Sequence, residues 1–156
     1  MSIQQKVVKL LIKKHITISV AESCTGGLIA NKLTDVPGVS EVFDSGVVTY
    51  SERAKVKYLG VDETLLKDHG AVSREVAIAM AQGVSRSSET DIGISVTGIA
   101  GPSGTIENKP VGLVYIALYA NGVTQCNKFN FEGNRRSIRS LAAFHALNMV
   151  LRFLNK

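Results

Sequence analysis

The stretch Ile16-Thr17-Ile18-Ser19-Val20-Ala21-Glu22-Ser23-Cys24-Thr25-Gly26-Gly27-Leu28-Ile29-Ala30-Asn31 decides how the chain is read. Its first half is β-branched and apolar, which predicts a buried strand. The strand stops at Glu22 to Thr25 and turns through Gly26-Gly27 into a helix. Ser23 or Thr25 is placed to cap that helix, leaving backbone N–H groups at its start free for an anion or an oxyanion. In an α/β protein the end of such a strand is where ligands sit. A plain strand-to-helix turn that needs only small residues accounts for the same segment equally well.

Upstream, Lys6, Lys9, Lys13 and Lys14 interrupt Val7, Val8, Leu10, Leu11 and Ile12. That pattern is an amphipathic helix and not a secretion signal, and no apolar run is long enough to span a bilayer. Downstream, the helix opened at Thr25 should end near Asp35, followed by a Pro37-Gly38 loop that carries Ser40. Phe43 to Gly46 leads into a strand at Val47 to Tyr50, and Ser51 caps a helix. A short helix from Val61 closes at His69-Gly70, and a longer one runs from Ser73 to about Ser87. Asp91 to Val96 reads as a strand, Thr97 to Pro102 as a glycine-rich loop and Ser103 to Pro110 as a polar loop. Strands at 111–120 and 123–131 flank Asn121-Gly122, a strong hairpin signal, and the last helix begins near Asn134. Together these elements predict an α/β fold, a three-layer α/β/α sandwich with a mixed sheet. The loops after Val20, near Val47 and after Val96 should then meet at one edge of the sheet.

The 156 residues fit a single domain, 1–156, able to build its own core. The two cysteines, Cys24 and Cys126, make neither a disulfide framework nor a metal pattern and suit a reducing cytoplasm. A net charge of +5 raises nucleic-acid binding, yet the basic residues are scattered and aromatics make up only 6%. A small anionic substrate accounts for the surplus as well. No P-loop, dinucleotide fingerprint or G-x-S-x-G elbow is present, and His15, His69 and His145 have no metal spacing.

What remains is hydroxyls, one thiol and several cations at loop ends. Cys24 at a helix start is a candidate nucleophile, or more simply a small buried residue packed under the turn. Glu22 can orient a ligand or hold the loop through backbone N–H groups. Ser40 presents an exposed hydroxyl. Lys55 with a lowered pKa, alone or with Tyr50, can take a proton from a serine hydroxyl, as in Ser–Lys hydrolases; a solvated surface lysine is the plain alternative. Arg135 and Arg139 lie one helical turn apart and can grip a phosphate. A basic first turn opposes the helix dipole, which points to an anion there.

Five motifs carry a resemblance: AESCTGG (21–27), GVVTYS (46–51), KDHGAVS (67–73), TGIAGP (97–102) and KPVG (109–112). Together, over residues 4 to 154, they resemble the CinA C-terminal domain family, whose standalone members are nicotinamide mononucleotide deamidases. The resemblance implies hydrolysis of the substrate carboxamide to nicotinate mononucleotide and ammonia, in pyridine-nucleotide salvage, with no metal and no cofactor. It implies Ser40 as nucleophile, Lys55 as base and Tyr50 assisting. Ser23, Thr97 and Arg135 are implied to bind or orient substrate, with Thr25 and Gly26 beside them. Backbone N–H groups near Gly26-Gly27 or Gly98 are expected to hold the oxyanion. Many family members carry a further N-terminal domain, which is not expected here. The expected partner is nicotinamide mononucleotide, with no nucleic acid and no membrane, in a homo-oligomer. A non-catalytic nucleotide-binding module and a DNA-binding competence protein are the competing readings.

Overall fold

The computed structural model describes residues 1–106 and 108–156, so position 107 of the expected polar loop lies outside the described residues. In chain order the elements are α1 (Ile3–Lys14), β1 (Ile18–Glu22), α2 (Leu28–Thr34), a 3-10 turn (Val39–Glu41), β2 (Phe43–Val48), α3 (Glu52–Leu59), α4 (Glu63–His69), α5 (Arg74–Ser88), β3 (Ile92–Gly98), β4 (Leu113–Ala120), β5 (Val123–Asn130) and α6 (Arg135–Leu154). The sheet runs β2-β1-β3-β4-β5, with β1 parallel to both β2 and β3 and the remaining pairs antiparallel. It is the expected mixed sheet between two helical layers.

Local chemistry sets most boundaries. Ser2 and Gln5 form a capping box at the start of α1, which buries Val7, Val8 and Leu11 against α6. Asn121 and Gly122, both at positive φ, make the tight turn between β4 and β5. Ser73 caps α5, whose buried face of Val76, Ala77, Met80, Ala81 and Val84 lies across β1, β3 and β4. Every residue of β1 is buried because α5 covers one face of the sheet and the α1–α2–α6 layer the other.

Several boundaries differ from expectation: β1 begins at Ile18, β2 at Phe43, four residues before the expected Val47, and β4 at Leu113, and three further differences lie near the crevice. The helix after β1 starts at Leu28 and not at Thr25, because Gly26 and Gly27 hold φ of +60° and +99°. β2 ends at Val48, two residues early: the Thr49 N–H still donates to the Glu22 carbonyl of β1 (2.9 Å), while the Thr49 and Tyr50 carbonyls turn toward Lys55. β3 continues through Thr97 and Gly98, which the sequence assigns to a loop, because β4 pairs with both.

Close approach of α5 to the sheet needs Gly93. A Cβ built there would lie 2.1 Å from the Ala81 carbonyl oxygen and 2.9 Å from Ser85 Cβ. Gly93→Ala must push helix and strand apart, so we expect a loss of about 1–3 kcal/mol or more in urea unfolding. A wild-type midpoint would contradict this packing.

Candidate active site

The crevice lies between the C-terminal ends of β1 and β3, where the chain's connections leave in opposite directions. Ser23 is the first residue past β1. Its N–H still donates to the Val96 carbonyl (3.0 Å), but its own carbonyl accepts from Gly26 (3.0 Å), so the chain turns away from β3. Ile99 spends both its N–H and its carbonyl on the β4 side, to Leu113 and from Gly112. Gly98, one residue earlier, therefore faces β1, and its N–H points past the end of that strand into the crevice.

Lys55 enters from the first turns of α3, which Ser51 caps through the Ala54 N–H. The lysine is 1% exposed. Its Nζ donates to the Thr49 carbonyl (2.7 Å) and lies 3.1 Å from Ser23 Oγ, with the Tyr50 carbonyl farther off at 3.4 Å. Carbonyl oxygens only accept, so in the neutral amine two N–H bonds face them and the lone pair is left for Ser23. Burial lowers the Lys55 pKa to about 8, partly opposed by Cys24 and Glu52. Among the described residues the lysine has no salt-bridge partner.

The turn that presents Ser23 is held on both sides. Glu22 is buried, and its two carboxylate oxygens accept from the N–H groups of Ile29 (2.9 Å) and Ala30 (3.0 Å). The start of α2 is thus occupied by the protein's own carboxylate, which corrects the expectation of an anion there. Arg139 of α6 donates from Nε to the Cys24 carbonyl and from Nη2 to the Thr25 carbonyl, each at 3.0 Å. Cys24 is buried, and desolvation pushes its thiol up to about 12, so it stays protonated beneath the turn.

A cavity of about 330 Å³ opens at the crevice. Ser23, Lys55, Tyr50 and Arg135 give it polar surface, and Val72, Ile99, Ala100 and Ile106 apolar surface. Arg135 donates to the Gly101 carbonyl (2.8 Å) and to the Tyr50 hydroxyl (3.0 Å). Thr97 also lines the cavity, with its hydroxyl donating to the Ala71 carbonyl at 2.8 Å. Among the described residues no group of three or more His, Cys, Asp or Glu side chains converges, and no helix is long and apolar enough to cross a membrane.

Of the residues expected at the site, the cavity brings together Ser23, Tyr50, Lys55, Thr97, Gly98 and Arg135. It does not bring Ser40. That serine sits in the 3-10 turn ahead of β2, at the end of the sheet where β1 and β2 begin, in register at Ile18 and Phe43. Lys55 is anchored past the other end of β2, roughly 20 Å away for a six-residue strand. Thr25 is fully buried and Gly26 faces Arg139, so neither reaches the cavity wall. Tyr50 touches Lys55 through its carbonyl, while its phenol holds Arg135. Sequence reasoning missed Ser23 as the hydroxyl on the lysine. The signal was its place one residue past a buried parallel strand.

The model of the CinA C-terminal domain matches residues 1–154. The chain is 54% identical over 153 residues to a CinA-like protein of Kosmotoga olearia, covering 98% of this chain and 37% of that one. A protein of Alkaliphilus oremlandii named for competence-damage induction is 52% identical over 151 residues, with 97% and 37% covered. The chain therefore spans well under half the length of these curated relatives. Among solved structures it is similar to a CinA superfamily protein of Klebsiella pneumoniae (TM-score 0.95, 31% identity, 98% and 96% covered). It is also similar to a competence/damage inducible protein of Agrobacterium tumefaciens (TM-score 0.91, 40% identity, 100% and 98% covered).

The buried amine has a direct readout. In an NMR titration, the Lys55 side chain should change protonation near pH 8, while solvated lysines titrate above about 10. An inflection with the solvated lysines would mean that the amine is hydrated and charged throughout the neutral range.

Proposed function

This chain belongs to the CinA C-terminal domain family, and from that premise we propose that it is an amidohydrolase which converts nicotinamide mononucleotide to nicotinate mononucleotide and ammonia through a Ser23–Lys55 pair. The observation that carries this reading is the 3.1 Å contact between Ser23 Oγ and a buried Nζ held by carbonyls. Ser23 replaces Ser40 as the proposed nucleophile, since Ser40 stands at the other end of the sheet.

Neutral Lys55 takes the Ser23 proton as Oγ bonds to the carboxamide carbon. The developing oxyanion is met by the Gly98 N–H, which faces the same crevice. Lys55 then returns the proton to the amide nitrogen, the C–N bond breaks and ammonia leaves an acyl ester on Ser23. A water, deprotonated by the same amine, hydrolyses that ester and frees the acid. Arg135 offers a guanidinium to the 5′-phosphate, with Tyr50 steadying it, and so fixes the reacting end over Ser23. The apolar surface of Val72, Ile99 and Ile106 suits the pyridine ring.

We expect ammonia release from nicotinamide mononucleotide, with kcat falling about a thousandfold or more in Ser23→Ala and Lys55→Met. Ser40→Ala should stay close to wild type. Because the base works only when unprotonated, kcat/KM should rise with pH and level off above about 8. Equal impairment of Ser40→Ala and Ser23→Ala would sink the assignment. Nucleotide-induced thermal stabilisation without ammonia would favour a binding module.

Arg135→Ala should raise KM for the mononucleotide at least tenfold and leave KM for a phosphate-free riboside nearly unchanged. Equal effects on both substrates would remove Arg135 from the phosphate.

A further inference from the structure

Arg139 is not spent on the cavity, although it lies on the same face of α6 as Arg135, one turn on. Its guanidinium spans two successive carbonyls, Cys24 and Thr25, in the turn that begins at Ser23. We propose that Arg139 is a positioning residue for the nucleophile: by gripping both carbonyls it sets the peptide planes after Ser23 and so holds Oγ on Lys55. This inference rests on the Ser23–Lys55 reading above.

Three observations support it. The turn includes two glycines at positive φ, Gly26 and Gly27, so its backbone has many alternatives unless something outside fixes it. Glu22 pins only the far side, through the N–H groups of Ile29 and Ala30; the Thr25 carbonyl also accepts from the Leu28 N–H (3.1 Å), and Arg139 is the donor that holds the Cys24 carbonyl beside it. A peptide unit is planar, so fixing the carbonyls of Cys24 and Thr25 also fixes the N–H groups of Thr25 and Gly26 on their opposite sides. The Gly26 N–H closes the turn onto the Ser23 carbonyl at 3.0 Å. A guanidinium fork reaches two acceptors in a fixed plane, which a lysine ammonium on a flexible stem does not reproduce. Arg139 thereby ties α6, which also carries Arg135, to the hydroxyl that reacts.

The test separates nucleophile placement from substrate binding. A small fluorophosphonate reports the Ser23 hydroxyl directly: Oγ bonds to phosphorus, fluoride leaves and the proton passes to Lys55. Labelling at Ser23 is followed by intact mass, alongside kcat and KM for nicotinamide mononucleotide. In folded Arg139→Ala, labelling rate and kcat should both fall about 10- to 100-fold, with KM within about threefold of wild type. Added guanidinium ion at low, non-denaturing concentration should restore part of both. Arg139→Lys should remain impaired in both, and it carries the test if the alanine variant does not fold. Wild-type labelling in either folded variant would overturn the proposal, as would a raised KM with normal labelling, which would make Arg139 a phosphate ligand. If wild type is labelled at Ser23 but releases no ammonia, the substrate reading fails while the labelling still decides the role of Arg139.

Discussion

The site depends on an amine buried without a carboxylate. Taking an ammonium out of water is costly, and a protein normally offsets it with a paired charge. Among the described residues the hydrogen-bond partners of Lys55 are carbonyl dipoles, from Thr49 and, more distantly, Tyr50, and a hydroxyl, with Glu52 acting only at a distance. That is enough to hold the side chain and too little to keep its pKa at the ordinary lysine value, which burial lowers to about 8, within reach of neutral pH. A carboxylate in place of either carbonyl would hold the amine charged and take away the base that the proposed mechanism needs. The early end of β2 follows the same logic, because the Thr49 and Tyr50 carbonyls must leave the ladder to reach the lysine.

A second constraint is where the strands part. Ser23 keeps one ladder bond to β3 and then turns, so Gly98 runs on beside an empty edge. Glycine is required at that point for a separate reason, since a Cβ would lie 2.6 Å from Val114 Cγ2 and 2.8 Å from the Leu113 carbonyl. The antiparallel strand β4 thus presses on one side of β3 while the crevice opens on the other. Antiparallel pairing matters to the site because it lets β3 extend past the parallel strands on a fully bonded edge.

Most of the fold was legible from periodicity and punctuation. The Asn121-Gly122 turn, the Ser51 and Ser73 caps, the Gly70 stop and the amphipathic α1 all stand where the residues point. The misread boundaries at Thr25, Tyr50 and Gly98 all fall at the site, where local preference yields to long-range pairing. The site was legible as a list and not as a geometry. Two serines, Ser23 and Ser40, offered the same hydroxyl, and only the parallel register of β1 and β2 tells which end of the sheet each occupies. Ser40 looked the better candidate because its Pro-Gly loop promised exposure. The proposed Ser23–Lys55 pair rests on burial instead of exposure: a lysine with a lowered pKa is buried, and the hydroxyl beside it lies at the same depth.

The two arginines of α6 show how a helix start can carry cations against its dipole. Basic residues in a first turn face the positive end of the macrodipole, and an external anion is one remedy. Arg139 needs none, since two carbonyl oxygens lie against its guanidinium and the group is partly buried between α6 and the turn. Arg135 is different. It is exposed, holds one carbonyl and one neutral phenol, and faces the cavity. A guanidinium has five N–H donors, so two hydrogen bonds leave three for a ligand. One face of one helix therefore divides into a cation spent on the protein's own backbone and a cation with donors to spare, and the second lies over the open cavity, where the proposed substrate would bring its phosphate.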